Sequence, residues 1–296
     1  MKDQENITRK WKSELVELLS YSLDNLNYEE TTRVGEIYSC YAPKSLFKYY
    51  RGNDLDIDAI EGHKMWYSIP AYFNDPFDCS FYVDLNKCFN NIIDSDVSLR
   101  EACKGNCDKR NELLAIIRKD DSVQNGIDIF ESELTKMKGE MGVACLSERN
   151  DSNLMWGHYA NSHRGICVEY ELAAFNQQLG FTPVPILYSE NKIVLENLLF
   201  ERKICSFLIK SLCSKSKEWR YEHEWRILRD KEACGDRWRE NGALLDTVKP
   251  KAIYLGCKCE EGIKARLKSI CNNQGIPIYR MQTDEQEFKL NAIKIE

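Results

Sequence analysis

The chain has 296 residues, of which 43% are hydrophobic and 30% are charged, a composition typical of a folded globular protein. This length allows one large domain or two small ones. The formal net charge of −6 argues against nonspecific nucleic-acid binding over the whole surface. No apolar run reaches the length of about eighteen residues that a membrane-spanning helix needs.

The first residues lack the apolar core of a secretion signal, so we expect a cytoplasmic protein that does not interact with a membrane. The thirteen cysteines are scattered through the chain, so reduced thiols are expected in place of a disulfide framework. Seven of them fall inside apolar strand or helix patterns, as buried thiols do: Cys40, Cys79, Cys145, Cys167, Cys205, Cys213 and Cys271. Cys103 with Cys107, and Cys257 with Cys259, would supply four zinc ligands. Without a Cys-x2-Cys pair this signal is weak, and no metal is expected.

The N-terminal residues 7–26 have apolar side chains at three- and four-residue spacing, which predicts an amphipathic helix. We assign residues 1–43 to this helix and a linker. Three roles are open for the helix: packing against the body of the protein, closing over a site as a lid, or binding a partner protein.

Residues 44–296 predict a single α+β domain, with a mixed or antiparallel sheet at its core and helical insertions. A helical insert is expected at about 86–138, interrupted near Gly105 and Gly126. Strands are predicted at 45–51, 64–68, 142–146, 185–188, 220–228, 252–255, 278–281 and 287–295, and helices at 192–214 and 260–273.

The segment from Asn153 to Tyr170 carries the densest group of polar and aromatic side chains. It reads as a short helix before Arg164 and as a strand after it. Polar groups this dense between a helix and a strand are typical of the wall of a site, which makes His158, Tyr159 and Arg164 candidate site residues. His158 and His163 would share a zinc ion only if both lay on one helix face, and the onset of the strand argues against that.

Glu222 and Glu224 lie two residues apart in the strand predicted at 220–228. Two residues along a strand span about 6.5 Å, so both carboxylates would face one side and act on one substrate. The structural alternative is a solvated strand face whose glutamates pair with arginines at little energetic gain.

Asn74, Asp75 and Asp78 lie on a loop that is stiffened by Pro76. Their side chains satisfy backbone amides if the loop is an Asx turn or a helix cap. Alternatively, together with His158, His163 and Glu224, the aspartates would ligate Mg²⁺ or Mn²⁺ for phosphodiester hydrolysis.

Six short motifs lie along the chain: Lys-Tyr-Tyr-Arg at 48–51, Met-Trp-Tyr-Ser-Ile-Pro at 65–70, Phe-Asn-Asp-Pro-Phe-Asp at 73–78, Cys-Leu-Ser at 145–147, Trp-Gly-His-Tyr-Ala at 156–160, and Trp-Arg-Tyr-Glu-His-Glu-Trp-Arg at 219–226. Together they resemble a bacterial family, domain of unknown function 2971. The resemblance extends over about residues 44–257 and carries no activity of its own.

A second resemblance is to the Arg-Ser-Glu type ADP-ribosyltransferases. Arg51 closes one early strand, Ser68 closes the next, and Glu222-x-Glu224 follows late in the chain. The resemblance implies an ADP-ribosyltransferase-like fold and NAD as substrate, with Arg51 holding the pyrophosphate or ribose and Ser68 orienting the nicotinamide ribose. It implies that Glu224 stabilises an oxocarbenium-like transition state while Glu222 polarises the nucleophile. Pro70 stands where the usual second hydroxyl would be.

From these patterns we expect a bacterial NAD-using transferase or NAD glycohydrolase, an effector of the toxin or antiphage-defence type that acts on protein, nucleic acid or NAD itself. The alternatives are a metal-dependent nuclease or phosphodiesterase, and a non-catalytic ligand-sensing or partner-binding module. The expected catalytic residues are Glu224, Glu222 and His158, and the expected binding residues are Arg51, Ser68, Asn74, Asp75, Tyr159 and Arg164.

Overall fold

The computed structural model of the chain describes residues 2–20, 27–195 and 204–295. Its helices are α1 Lys2–Ser20, α2 Tyr28–Tyr41, α3 Asp54–Glu61, α4 Leu85–Ser95, α5 Val97–Cys103, α6 Cys107–Ile117, α7 Asp121–Gly139, α8 Asn153–Tyr159, α9 Leu172–Leu179, α10 Ile204–Leu212, α11 Lys231–Cys234 and α12 Glu261–Gln274. Its strands are β1 Ser45–Tyr50, β2 Lys64–Ser68, β3 Phe81–Val83, β4 Met141–Ser147, β5 Ile166–Glu171, β6 Val184–Pro185, β7 Leu187–Ser189, β8 Ile193–Leu195, β9 Ser214–Ser216, β10 Glu224–Asp230, β11 Trp238–Arg239, β12 Gly242–Asp246, β13 Ala252–Leu255, β14 Ile278–Thr283 and β15 Leu290–Lys294. Short 3₁₀ helices lie at Pro70–Tyr72, Lys217–Glu222 and Gly235–Arg237.

An eleven-stranded mixed sheet forms the centre of the described chain, in the order β11-β12-β2-β4-β1-β5-β13-β14-β15, with β10 pairing with β4 and β6. Its pairs are antiparallel except for β13 and β14, which are parallel. Five of the six residues of β5 are buried, because helices and loops cover both faces of this central strand. The predicted α+β class with a mixed sheet is therefore confirmed.

The N-terminal helix α1 packs against the back of strand β10. Trp11, Leu15 and Val16 are buried in the main core, and the Trp11 ring lies 6.1 Å from the Trp225 ring. The Lys12 ammonium donates to the Glu148 carboxylate at 2.5 Å, and Glu148 also accepts from the Trp225 indole at 2.7 Å. The apolar stripe of α1 is therefore covered by the protein's own core, as the packing role requires. Residues 21–26, the end of the predicted helix, lie outside the described residues.

The helical insert is present as α4 to α7, which share a small core of their own. The predicted break near Gly105 is confirmed: this residue has φ +69° between α5 and α6, a conformation that glycine adopts without strain. The break predicted near Gly126 is wrong, since Gly126 lies inside α7. A single glycine weakens a helix without ending it.

Two predicted elements of the later chain differ from the structure. The helix predicted at 192–214 starts as strand β8, which pairs in parallel with β3, and the described helix α10 covers only Ile204–Leu212. Residues 196–203 lie outside the described residues. The strand predicted at 220–228 begins only at Glu224, because a 3₁₀ helix and the left-handed His223, with φ 45°, precede it.

All thirteen cysteines are free, as expected. Of the seven inside apolar patterns, four are buried as predicted, whereas Cys40 and Cys205 are exposed and Cys145 is half-buried. None of the helices in the described ranges is long and apolar enough to cross a membrane.

The contact between α1 and the sheet generates a stability prediction. Lys12→Met should lower the free energy of unfolding by about 1–2 kcal/mol at neutral pH, since it removes a largely buried ion pair and the ammonium that lies 5.4 and 5.7 Å from two tryptophan rings. Urea unfolding followed by tryptophan fluorescence measures this change.

The effect of Lys12→Met should shrink in acid. Against its burial, the nearby His223, the charge of Lys12 and the hydrogen bonds from Lys12 and Trp225 lower the pKa of Glu148 from 4.5 to about 2. The stabilisation is therefore complete above about pH 4.5 and disappears as the pH falls towards about 2. Lys10→Met, at an exposed position of the same helix, is the control. Equal unfolding midpoints for both variants at neutral pH would contradict the prediction.

Candidate functional site

A cavity of about 360 Å³ opens at one end of the sheet, between β1, β4, the start of β10, α8 and the loop around Phe73. Its wall combines five aromatic rings with charged groups of both signs. The lining residues are Phe47, Lys48, Tyr49, Arg51, Tyr72, Phe73, Asn74, Asp78, Cys145, Leu146, Met155, His158, Tyr159, Lys215, Glu222 and Glu224. A concave site of this volume, in which polar groups converge among aromatic rings, is typical of a small-molecule site.

Most of the site residues expected from the sequence meet in this cavity, although up to 173 positions separate Arg51 from Glu224. The six that line it are Arg51, Asn74, His158, Tyr159, Glu222 and Glu224. They come from the end of β1, the loop after β2, the helix α8 and the start of β10, so the sheet topology brings them together.

Three expected site residues lie elsewhere. Ser68 does not line the cavity, and its hydroxyl donates to the Ile69 carbonyl oxygen, at 3.5 Å. Arg164 is exposed outside the cavity. Asp75 is buried beside the cavity, where its Oδ1 accepts from the Phe77 amide at 2.9 Å, as in an Asx turn. The Asp75 Oδ2 has no partner among the described residues.

The floor of the cavity is a buried charge network built on Lys215. Its ammonium lies 2.6 Å from Glu222, 2.9 Å from Glu224 and 3.3 Å from Asp78. We call these three acids the carboxylate cluster. Charges this deeply buried are stable only when they are paired and hydrogen-bonded.

Arg226 is the second cation of the network, and its side chain is fully buried. Its guanidinium binds both oxygens of Asp78, at 2.9 and 2.8 Å, and donates through Nε to Glu224 at 2.7 Å. It also donates to the Leu212 carbonyl oxygen at 2.6 Å. Arg226 thereby fixes the loop that carries Asp78 to strand β10. Both Asp78 oxygens accept from the same nitrogen, Nη2, and hydrogen bonds between ionised groups are stronger than those between neutral ones.

Glu222 and Glu224 converge by a route other than the predicted strand alternation. The left-handed turn at His223 redirects the chain between the 3₁₀ helix and β10. The Ser147 hydroxyl donates to the Glu222 carbonyl oxygen at 2.6 Å, and the Glu148 amide donates to the His223 carbonyl oxygen at 3.0 Å. The two carboxylates meet on Lys215 because the end of β4 holds this turn in place.

The two glutamates have opposite titration behaviour. Arg226 and Lys215 hold the pKa of Glu224 well below its usual range against the effect of burial. Burial and the neighbouring charge of Glu224 raise the pKa of Glu222 to about 7. The network contains three carboxylates and two cations, so one proton neutralises it, and Glu222 is the acid that takes up this proton.

Tyr159 and Asn74 connect Glu222 to the open cavity. The Tyr159 hydroxyl donates to Glu222 Oε1 at 2.5 Å, and the Asn74 amide donates to the Tyr159 oxygen at 3.4 Å. His158, on the same helix, is exposed at the cavity and lies 6.2 Å from the Tyr221 ring. His163 is left-handed, lies beyond the end of α8 and stacks on Trp156. The two histidines therefore do not share a helix face.

In the structure, the loop aspartates are not arranged as the metal-binding alternative requires. Asp78 is bound by Arg226, and the cluster surrounds the Lys215 ammonium, so its carboxylates are already paired with the protein's own cations. Across the described ranges, no group of three or more His, Cys, Asp or Glu side chains has the arrangement of a metal site.

Sequence reasoning missed Lys215 and Lys48 as site residues. Lys215 comes from the short strand β9, directly after the end of the helix predicted at 192–214, and no motif marked it. Three carboxylates in two separate motifs implied a buried counter-cation, but nothing in the spacing says which lysine provides it.

Removing the central cation should destabilise the fold. Lys215→Met leaves three acids facing one another without their shared ammonium, and breaking a buried charge arrangement of this kind typically costs roughly 3–5 kcal/mol. Lys217→Met removes an exposed pair with Glu190 and should cost less than about 1 kcal/mol. Urea unfolding of both variants tests this. If the two midpoints coincide, the network does not carry the stability assigned to it.

Comparison with known proteins gives a match for a segment that contains six of the sixteen residues lining this cavity. No curated protein and no solved structure matches the chain. Residues 155–227 match the family model described as protein of unknown function (DUF2971). This range is narrower than the expected 44–257, and it runs from α8 to β10, so it includes Tyr159, Lys215 and both glutamates. The expected resemblance to this family is confirmed for that segment.

Proposed function

We propose that the protein is an NAD-using ADP-ribosyltransferase or NAD glycohydrolase whose proton-exchanging residue is Glu222. The observation that carries the proposal is the position of Glu222 at the floor of the cavity, held between the Tyr159 hydroxyl and the Lys215 ammonium. Its pKa of about 7 is suited to gaining and losing a proton near neutral pH. A perturbed carboxyl group in a cleft is a feature typical of catalytic sites.

The shape and charge of the cavity support a nucleotide as substrate. Aromatic side chains, among them Tyr49, Tyr72 and Phe73, offer surfaces for a planar base or a nicotinamide ring. Arg51 and Lys48 line the same wall and supply positive charge for a pyrophosphate. The resemblance of Arg51 and the Glu222-x-Glu224 pair to ADP-ribosyltransferase motifs points to NAD.

The reaction follows from these positions. The bond between the nicotinamide nitrogen and the ribose carbon breaks, and nicotinamide leaves with the electron pair. The ribose gains oxocarbenium character, which the negatively charged carboxylate cluster stabilises. Ionised Glu222 then accepts a proton from the attacking water or acceptor group as the new carbon–oxygen or carbon–nitrogen bond forms. With water, the products are ADP-ribose, nicotinamide and a proton.

The geometry supports roles for Glu222 and Glu224 that differ from those expected from the sequence. Glu224 is 3% exposed and bound by both Lys215 and Arg226, so it serves to position these cations and adds negative charge beneath the ribose. Glu224→Gln should therefore reduce stability as well as turnover. A substitution of Glu222 is therefore the best way to lower turnover without lowering stability.

Glu222→Gln should lower the rate of nicotinamide release by about a hundredfold to ten-thousandfold, the usual contribution of a positioned general base. Stability should be kept or raised, because Gln leaves two acids for two buried cations and retains groups that hydrogen-bond Tyr159 and Lys215. The measurement is nicotinamide release from NAD, with the unfolding midpoint taken from the same preparation. Glu171→Gln, at an exposed position outside the cavity, is the matched control.

Wild-type release by Glu222→Gln would overturn the role of Glu222. No release by the wild-type protein, with or without protein and nucleic-acid acceptors and added Mg²⁺ or Mn²⁺, would overturn the proposed function. Binding of NAD without turnover would then favour a ligand-sensing module, and metal-dependent cleavage of nucleic acid would favour a nuclease.

The pH profile gives an independent test. If ionised Glu222 is the base, nicotinamide release should fall as the pH drops below about 7. The profile of Glu222→Gln should lose this step. A wild-type rate that is constant from about pH 5.5 to about pH 8.5 would contradict the assignment.

A further inference from the structure

Lys48 differs from Lys215 although both line the cavity. Lys215 is surrounded by three carboxylates, whereas the described residues place no carboxylate within ion-pair distance of the Lys48 ammonium. Among the described residues, Lys48 Nζ donates a hydrogen bond to the Cys145 carbonyl oxygen, at a long 3.3 Å, and lies 5.7 Å from the centre of the Tyr50 ring. A buried or half-buried cation without a counter-ion is costly, so its position calls for a ligand that completes it.

The neighbourhood of Lys48 explains why no protein group neutralises it. The carboxylates that share the cavity are already bound by Lys215 and Arg226. Arg51 lies three residues further along the chain, at the same wall, and no hydrogen bond or ion pair to its side chain occurs in the described residues. Two cations without protein anions therefore face one cavity.

We propose that Lys48 binds a phosphoryl group of the nucleotide that occupies the cavity, together with Arg51, and that its amine takes up a proton as the anion binds. This inference rests on the proposed function, because it assumes that the ligand is a nucleotide. Binding adds one proton to Nζ, and the resulting ammonium donates hydrogen bonds to the phosphoryl oxygens.

The electrostatics agree with this geometry. Burial lowers the pKa of Lys48, while the charges of Cys145, Asp56 and Glu224 oppose that decrease. A phosphoryl anion at the cavity adds a further negative charge and raises the pKa again. The other titratable or charged groups at the cavity wall are Arg51, Tyr49, Tyr72, Asp78, His158, Tyr159, Lys215 and Glu222.

The test is calorimetric titration with ADP-ribose, whose pyrophosphate keeps a constant charge from about pH 6 to about pH 10. The heat is compared in two buffers of different ionisation enthalpy, which gives the number of protons taken up on binding. At about pH 9, Glu222, with a pKa of about 7, is ionised, so the proton taken up there belongs to Lys48.

Two substitutions of Lys48 distinguish the effect of its positive charge from the effect of its proton uptake. Lys48→Met should weaken ADP-ribose binding by about tenfold to a hundredfold, the effect of losing one hydrogen bond to a charged group. Lys48→Arg keeps a permanent cation, so it should retain more of the affinity than Lys48→Met but lose the proton uptake at about pH 9. Lys44→Met, at an exposed lysine outside the cavity, should behave as the wild type does. Adenosine, which has no phosphoryl group, should show no proton uptake.

The outcomes separate this inference from the proposed function. Binding of ADP-ribose with Lys48-dependent proton uptake, but without NAD turnover, would support the phosphoryl site and overturn the enzymatic proposal. NAD turnover with unchanged ADP-ribose affinity in Lys48→Met would overturn the phosphoryl site alone. No binding of ADP-ribose, or proton uptake that persists in Lys48→Arg at about pH 9, would also overturn it.

Discussion

The cavity depends on one interaction, the convergence of three carboxylates on the buried Lys215 ammonium. Asp78, Lys215 and Glu224 come from three separate parts of the chain, and none of these charges would be stable in its buried position alone. Each part of the wall is therefore fixed by the others. Arg226 strengthens this dependence, because it ties the Asp78 loop to strand β10 and to the end of α10 through Leu212.

In this network, the contributions of Glu222 and Glu224 to the free energy of unfolding change in opposite directions as the pH rises. The folded-state pKa of Glu222 is raised from 4.5 to about 7, so between these pH values the folded protein binds more protons than the unfolded chain. For Glu222, stability therefore decreases as the pH rises through this interval. Glu224 has a lowered pKa, and its stabilisation is present above about pH 4.5 and is lost in acid. The ionised carboxylate of Glu222 therefore lowers stability near neutral pH. The same ionised form is the one that can accept a proton from a nucleophile.

The sequence predicted the strands of the sheet and the residues of the site better than it predicted the local backbone conformation. Strand β2 has the predicted bounds, and β1 ends within one residue of its prediction, because both have strong β patterns. The convergence of the glutamates was predicted from a strand alternation that is absent, since positive φ at His223 leaves no mark in a hydrophobic pattern. Lys215 could not be predicted, because a buried lysine is identified by its partners in space and not by its neighbours in sequence.

Strand β10 connects the stability of the core to the geometry of the site through its two faces. Trp225 and Ile227 face the core beneath α1, while Glu224 and Arg226 face the charge network, as alternation along a strand requires. A slip of one residue against β4 would move Arg226 into the apolar core and Trp225 into the carboxylate cluster. Both placements are energetically unfavourable, so the contacts on each face of β10 fix its register against β4. The packing of Trp11 on Trp225 and the bond from Lys12 to Glu148 therefore hold the N-terminal helix in place and keep the carboxylates in the position where they face a ligand.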